Sequence, residues 1–251
     1  MDLRFRDEFL AQWQRHFPTA ELPLAFFYTD DDARAEPPKP TAGHRCLVAD
    51  LARARNGSPV RLDLGATGCG GGRRYLGFTD ELRPEFEYFL SCGIPGKLEG
   101  ERYKRSPELV REVMARQPKF KAPAANLVFA RWDQLIERDE PEVAVFFAPP
   151  DVLSGLFTLA NFDEAGTTNV VAPFGAGCAT IVQHPYLERD AAHPRCFLGM
   201  FDVSARPYVP ADVLTFALPV RRLQQLAGYI DESFLLTHSW KLVRERLARP
   251  S

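Results

Sequence analysis

The stretch Glu142 to Phe147 (EVAVFF) has the length and apolar composition of a buried β-strand. An earlier stretch, Glu21 to Tyr28 (ELPLAFFY), has the same aromatic and aliphatic character and predicts a second strand. Outside these strands, apolar residues recur at helical spacing from Leu3 to Phe17, and His44 to Asn56 predicts another helix. This mixture of elements predicts an α/β or α+β fold.

The order of motifs then partly repeats along the chain. Gly175 to Cys178 (GAGC) echoes Gly65 to Cys69 (GATGC), and each cysteine lies twelve positions after a glycine that is predicted to end a helix. Self-similarity of this kind predicts an internal pseudo-duplication, with two related strand–helix–strand halves packed into one compact unit. In such an arrangement the two cysteines would face one another across a pseudo-twofold axis.

This organisation predicts one compact domain built in three parts. Residues 1–20 form an N-terminal helix, residues 21–124 form a first half with Cys46 and Cys69, and residues 125–251 form a second half with Cys178 and Cys196. A chain of 251 residues is long enough to bury a substantial core.

Composition and charge exclude several classes of protein. The chain is 45% hydrophobic and 25% charged, which is typical of a globular protein and not of a disordered one. A net charge of -2 argues against a nucleic-acid partner. No window reaches the ~18 apolar residues of a membrane span, and the N-terminus is too charged for a signal peptide. We therefore expect a cytoplasmic protein whose partner is a small-molecule ligand or substrate; the sequence does not predict an oligomeric state.

The cysteines are the residues whose side chains are most able to take part in chemistry. There are five, an odd number, and in the cytosol they are more often thiols, metal ligands or catalytic groups than disulfides.

Short motifs around these cysteines also resemble a known family. Cys46 lies at a helix start, Cys69 precedes glycines and the run Tyr75-Leu76-Gly77-Phe78, and Cys178 ends GAGC ahead of Pro185. This series resembles the domain-of-unknown-function family 169, also labelled ArCR, over about Leu22 to Arg244. The resemblance implies no activity. It implies that Cys46, Cys69, Cys178 and Cys196 occupy family-typical positions, and that Cys92 is an addition.

One hypothesis is a cysteine-ligated metal centre. Thiolates are soft ligands that select iron–sulfur clusters, zinc or copper(I), and Cys46, Cys69, Cys178 and Cys196 would supply the four ligands of a 4Fe–4S cluster, with zinc as a weaker option. The protein would then have a redox or substrate-activating role. The competing interpretation is that two or more of these cysteines are small buried core residues, since no CxxC pair is present.

A second hypothesis is thiol chemistry without a metal. Cys69 is the candidate catalytic residue, because Arg73 and Arg74 downstream would favour its thiolate. Cys46 would also be activated by its place at the start of a helix.

A third hypothesis is a non-catalytic module that binds a small anion. The loop from Gly68 to Arg74 (GCGGGRR) would use backbone donors at Gly68, Gly70 and Gly71 together with the guanidinium groups of Arg73 and Arg74. It lacks the ending of a P-loop and the GxGxxG pattern, and no helical run clearly follows it. The competing interpretation is a tight turn with two solvated arginines.

Overall fold

The computed structural model describes residues 1–39 and 43–249. Within these ranges seven strands form one mixed sheet in the order β2-β3-β1-β4-β7-β6-β5. The strands are β1 Leu24–Thr29, β2 Val60–Leu62, β3 Asn126–Arg131, β4 Val143–Ala148, β5 Val170–Val171, β6 Cys196–Gly199 and β7 Leu214–Pro219. The helices are α1 Leu3–His16, α2 Leu47–Arg55, α3 Gly70–Tyr75, α4 Phe86–Phe89, α5 Pro107–Arg116, α6 Pro150–Leu159, α7 His184–Leu187, α8 Val220–Tyr229 and α9 His238–Leu247.

The centre of the sheet is formed by the two strands that the sequence predicts most clearly. β1 pairs with β4 in antiparallel fashion, with Leu24 opposite Val145 and Phe26 opposite Val143. Long antiparallel pairings of β1 with β3 and of β4 with β7 flank this centre, and only β5 and β6 are parallel. The prediction of a mixed α/β fold is therefore confirmed.

Two layers of helices cover the sheet. We call one side the aromatic face, where α1, α6, α8 and α9 pack through side chains such as Phe9, Trp13 and Trp240. The other side, the cysteine face, carries α2, α3, a π-helix at Ala179–Gln183 and α7. Most strand residues are buried, since side chains that alternate along a strand meet a layer of helices on both sides.

The predicted internal duplication is not shown by this arrangement. In a duplication, the helix α2 that follows β1 would be equivalent to the helix α6 that follows β4. A twofold axis that exchanges these two antiparallel strands would place both helices on the same face of the sheet. However, α2 packs on the cysteine face and α6 packs on the aromatic face.

The elements that follow β4 are short: α6 ends at Leu159, and β5 contains only Val170–Val171. Asp163 lies beyond this helix, and its carboxylate accepts two hydrogen bonds from the Arg222 guanidinium, at 2.6 and 2.7 Å. No helix in the described ranges is long and apolar enough to cross a membrane.

Candidate functional site: a cluster of three thiols

Cys46 lies at the start of α2, as the sequence predicts. It is the N-cap residue of that helix and is partly buried. The backbone before it packs against the loop that carries Cys69: a Cβ atom placed on Gly68 would lie 3.0 Å from Cβ of Arg45 and 3.2 Å from its carbonyl oxygen. The absence of a side chain at Gly68 therefore allows the two cysteine-bearing segments to meet.

Cys69 lies at the end of a loop that is held by its own hydrogen bonds. Oδ1 of Asp63 accepts the N–H groups of Gly65 and Ala66, both at 2.7 Å, and the Thr67 hydroxyl donates to the Asp63 carbonyl at 2.7 Å. Contrary to the sequence prediction, a helix follows directly, because Gly70 begins α3. Cys69 is the N-cap of this helix, and its Sγ accepts the N–H of Gly72 at 3.0 Å.

Cys178 lies in the first turn of helical backbone that runs from residue 177 to residue 187. This segment widens into the π-helix Ala179–Gln183 before it continues as α7. π-helical turns are rare in proteins, and those that occur are often found at functional sites. The Cys178 side chain is 8% exposed and packs in the same cluster as Leu47 and Tyr75, which bring in α2 and α3.

The three thiols influence one another electrostatically. Burial raises the pKa of Cys178 well above its ordinary value, and negative charge on Cys69 or Cys46 raises it further. Burial likewise raises the pKa of Cys46, with a further contribution from Cys69. The raised pKa values mean that Cys46 and Cys178 stay protonated at neutral pH.

Asp202 is a member of the cluster that sequence reasoning missed. It follows β6 and its Oδ2 accepts the N–H of Gly177 at 3.1 Å, next to Cys178. Its charge also raises the pKa of both Cys46 and Cys178. No local motif marks this residue, and only the pairing of β6 within the sheet brings it to the thiols.

A family model described as uncharacterised ArCR, DUF169, matches residues 16–228, which include all of the cluster. The chain belongs to the DUF169 family. Neither a search of curated proteins nor a search of solved structures found a match. Membership confirms the resemblance seen in the sequence, but the family description names no activity that could be transferred to this DUF169 protein.

The prediction of a metal or iron–sulfur protein is wrong. In the part of the chain that the structure describes, no group of three or more His, Cys, Asp or Glu side chains is arranged to hold a metal ion. Cys196, the expected fourth ligand, lies in β6 with its side chain in the core of the aromatic face, on the opposite side of the sheet from Cys178. Burial raises its pKa to about 12, so this thiol stays protonated, whereas a thiolate is needed to bind a metal.

The residues predicted to bind an anion differ in how exposed they are and in what they already contact. Gly68, Gly70 and Gly71 are exposed, but Nε of Arg73 donates to the Thr67 carbonyl at 2.9 Å. Arg74 is buried and donates to the Asp80 carbonyl at 2.6 Å. Both arginines therefore stabilise the loop itself, and anion binding here stays a prediction.

Proposed function

We propose that this DUF169 protein acts through the thiol of Cys69, as a metal-free cysteine enzyme for a small electrophilic substrate. The observation that carries this proposal is the hydrogen bond from the Gly72 N–H to Sγ of Cys69 at 3.0 Å. A hydrogen bond to the charged form of a group favours that form, and the thiolate is the nucleophile in cysteine chemistry.

The neighbours of Cys69 support this assignment. Cys69 is partly exposed, whereas Cys178 is buried. Because burial raises the pKa of Cys46 and of Cys178, these two thiols do not compete as nucleophiles near neutral pH. In the proposed reaction the Cys69 thiolate attacks an electrophilic carbon. A sulfur–carbon bond forms, and the leaving group departs with the electron pair of its own bond.

Site-resolved alkylation tests the reactivity of Cys69. The native protein is treated with iodoacetamide between about pH 6 and pH 9, and the labelling rate of each cysteine is measured by peptide mass spectrometry. We expect Cys69 to react faster than Cys92, which is the more exposed thiol and serves as the control. A Cys69 that reacts no faster than Cys92 would contradict the proposal.

A chromogenic ester tests whether this reactivity supports group transfer. With p-nitrophenyl acetate, we expect a burst of p-nitrophenolate equal to the enzyme concentration as Cys69 becomes acetylated. Cys69→Ser should lose the burst, and Cys92→Ser should keep it. Binding of inorganic phosphate is measured for wild type and for Cys69→Ser. Equal binding by a Cys69→Ser variant that has lost the burst would mean that the loop also binds anions independently of the thiol.

We further propose a reducing, cytoplasmic location, because the five cysteines are all free thiols and the proposed reaction needs Cys69 in reduced form. Fractionation of the native host, with the thiols trapped by alkylation at lysis, tests this location. Recovery of Cys69 in disulfide form would contradict it.

We also retain the duplication as a proposal. Its support is that Cys69 and Cys178 each follow an edge strand of the sheet, β2 and β5, and each lies where helical backbone begins on the cysteine face. Superposition of residues 57–75 on residues 166–187 in an experimental structure tests it, since unrelated backbone paths would contradict a duplication.

A further inference from the structure

We infer that Asp202 is a positioning residue of the thiol cluster, whose carboxylate ties the backbone beside Cys178 to the segment that carries Tyr103. This inference rests on the proposed function of Cys69, which it extends by one residue from a distant part of the chain.

The two oxygens of the Asp202 carboxylate bind different segments. Oδ2 accepts the N–H of Gly177 at 3.1 Å, which is one of the free N–H groups at the start of the helical backbone 177–187. Oδ1 accepts from the N–H of Ser204 at 3.0 Å and from its hydroxyl at 2.8 Å, and the Tyr103 hydroxyl lies 3.4 Å from the same oxygen. Tyr103 in turn accepts the Ser204 N–H at 3.0 Å. One side chain thus connects three parts of the chain.

The backbone before Asp202 is held in a conformation that a side chain rarely adopts. Met200 has a φ of +71°, in the left-handed region, and it is fully buried. A Cβ atom on Gly177 would lie 3.3 Å from Sδ of Met200 and 3.3 Å from Cβ of Ala205. The packing of Met200 against Gly177 therefore brings Asp202 to the helix start, and such strain is maintained only where surrounding contacts enforce it.

The charge of Asp202 gives this position a chemical consequence. It raises the pKa of Cys46 and of Cys178, so it helps keep both thiols protonated beside Cys69. For Cys46, which begins a different helix, this charge is the smallest of the contributions to the pKa shift, so the access of reagent to Cys178 is the main readout of positioning.

The test compares Asp202→Asn with Asp212→Asn, a control at an exposed aspartate ten positions further along the chain. Iodoacetamide labelling is followed for each cysteine as a function of pH. In Asp202→Asn we expect Cys178 to be labelled about tenfold faster, because loss of a charge-assisted hydrogen bond makes local opening about tenfold more frequent. We also expect the pH profile of Cys46 labelling to move to lower pH. Asp212→Asn should behave as wild type.

A second variant, Tyr103→Phe, keeps the charge of Asp202 but removes the hydroxyl. It should speed the labelling of Cys178 less than Asp202→Asn does, and it should leave the pH profile of Cys46 in place. The inference is overturned if Asp202→Asn leaves the labelling rate of Cys178 unchanged, or raises it only in parallel with that of the buried Cys196, even when it lowers the melting temperature. If Asp202→Asn unfolds the protein, a Tyr103→Phe variant with wild-type labelling of Cys178 would overturn it instead. Slow labelling of Cys69 in wild type would contradict the proposed function alone.

Discussion

Cys196 and Cys178 are both buried cysteines on the same sheet, yet they belong to different kinds of environment. Cys196 is fully buried in the core of the aromatic face, where burial raises its pKa to about 12 although the neighbouring buried guanidinium of Arg222 lowers it. Cys178 lies on the cysteine face beside two other thiols and the Asp202 carboxylate. A buried cysteine with charged neighbours is therefore not by itself a candidate site; what distinguishes Cys178 is that it lies next to partly exposed thiols.

The two faces of the sheet also differ in the kinds of contact that hold their helices. On the aromatic face, large rings contact one another, for example Trp13 and Phe17 with centroids 4.3 Å apart, and Phe17 and Trp240 at 5.2 Å. The cysteine face also contains ring contacts, for example Phe26 and Phe129 at 5.3 Å, but its short helices and loops meet in part through backbone hydrogen bonds and glycines. We therefore expect the aromatic face to contribute more to stability and the cysteine face to determine reactivity.

The largest expected effect comes from Trp13→Ala on the aromatic face. Trp13 is 2% exposed, and its ring also lies 4.9 Å from that of Phe146. Removing a buried tryptophan leaves a cavity, so we expect the free energy of unfolding to fall by about 3–5 kcal/mol in urea titrations. Leu242→Ala, at an exposed position of α9, should change it by less than about 0.5 kcal/mol. If Cys69 is labelled faster in folded Trp13→Ala than in wild type, the aromatic face also influences thiol reactivity, and the two faces do not act independently.

A smaller loss is expected from Gly199→Ala at the end of β6. The added Cβ would lie 2.1 Å from Oγ1 of Thr180 in the π-helix and 2.9 Å from Oγ1 of Thr215. Overpacking of this kind lowers the free energy of unfolding by about 1–3 kcal/mol, and here it should also alter the labelling rate of Cys178.

Gly228→Ala in α8 is the matched control for that substitution. Its added methyl group meets no atom within 4 Å, so the variant should gain up to about 1 kcal/mol from helix propensity. Equal stability of the two alanine variants would contradict the close contact at Gly199.

The smallest expected effect is a change in the pH dependence of stability. Burial lowers the pKa of His16 on the aromatic face and of His184 on the cysteine face. The folded protein therefore binds fewer protons than the unfolded one. Stability is complete above the unfolded pKa of about 6.5 and is lost as the pH falls below it. Chemical unfolding at about pH 7.5 and pH 5.5 should show a shallower loss for His16→Leu than for wild type, with a remainder from His184. Parallel losses in both proteins would contradict a neutral buried His16.

The central part of the fold follows from local sequence patterns. β1 and β4 are continuous apolar runs, and the predicted opening helix becomes α1 with Asp2 as its N-cap. The shortest strands have a weaker signal: β6 has four residues and β5 has two, so their pairing depends on neighbours that lie far away in sequence. Short strands acquire their structure from the sheet, which a local reading of the sequence does not contain.

The candidate site shows the same limit. The helix start at Cys46 and the glycines beside Cys69 are local features, and the sequence identifies both. Which cysteines meet is decided by the side of the sheet on which each lies. Cys196 alternates with Phe197 along β6 and points to the aromatic face, so its inclusion in the predicted set of metal ligands was wrong. Asp202 is brought to the cluster by the turn after that same strand.

The π-helix after Cys178 has a consequence for how this region can vary. One residue advances a helix by about 100°, and a π-turn accommodates one residue more than an α-turn. Deletion of a single residue within Ala179–Gln183 would therefore restore α-helical geometry and leave Cys178 in nearly the same orientation relative to Tyr186, whose ring is held against Tyr28 and Phe120. In a continuous α-helix the same deletion would rotate the thiol by about 100°, so the wide turn lets this segment change its length by one residue without moving Cys178.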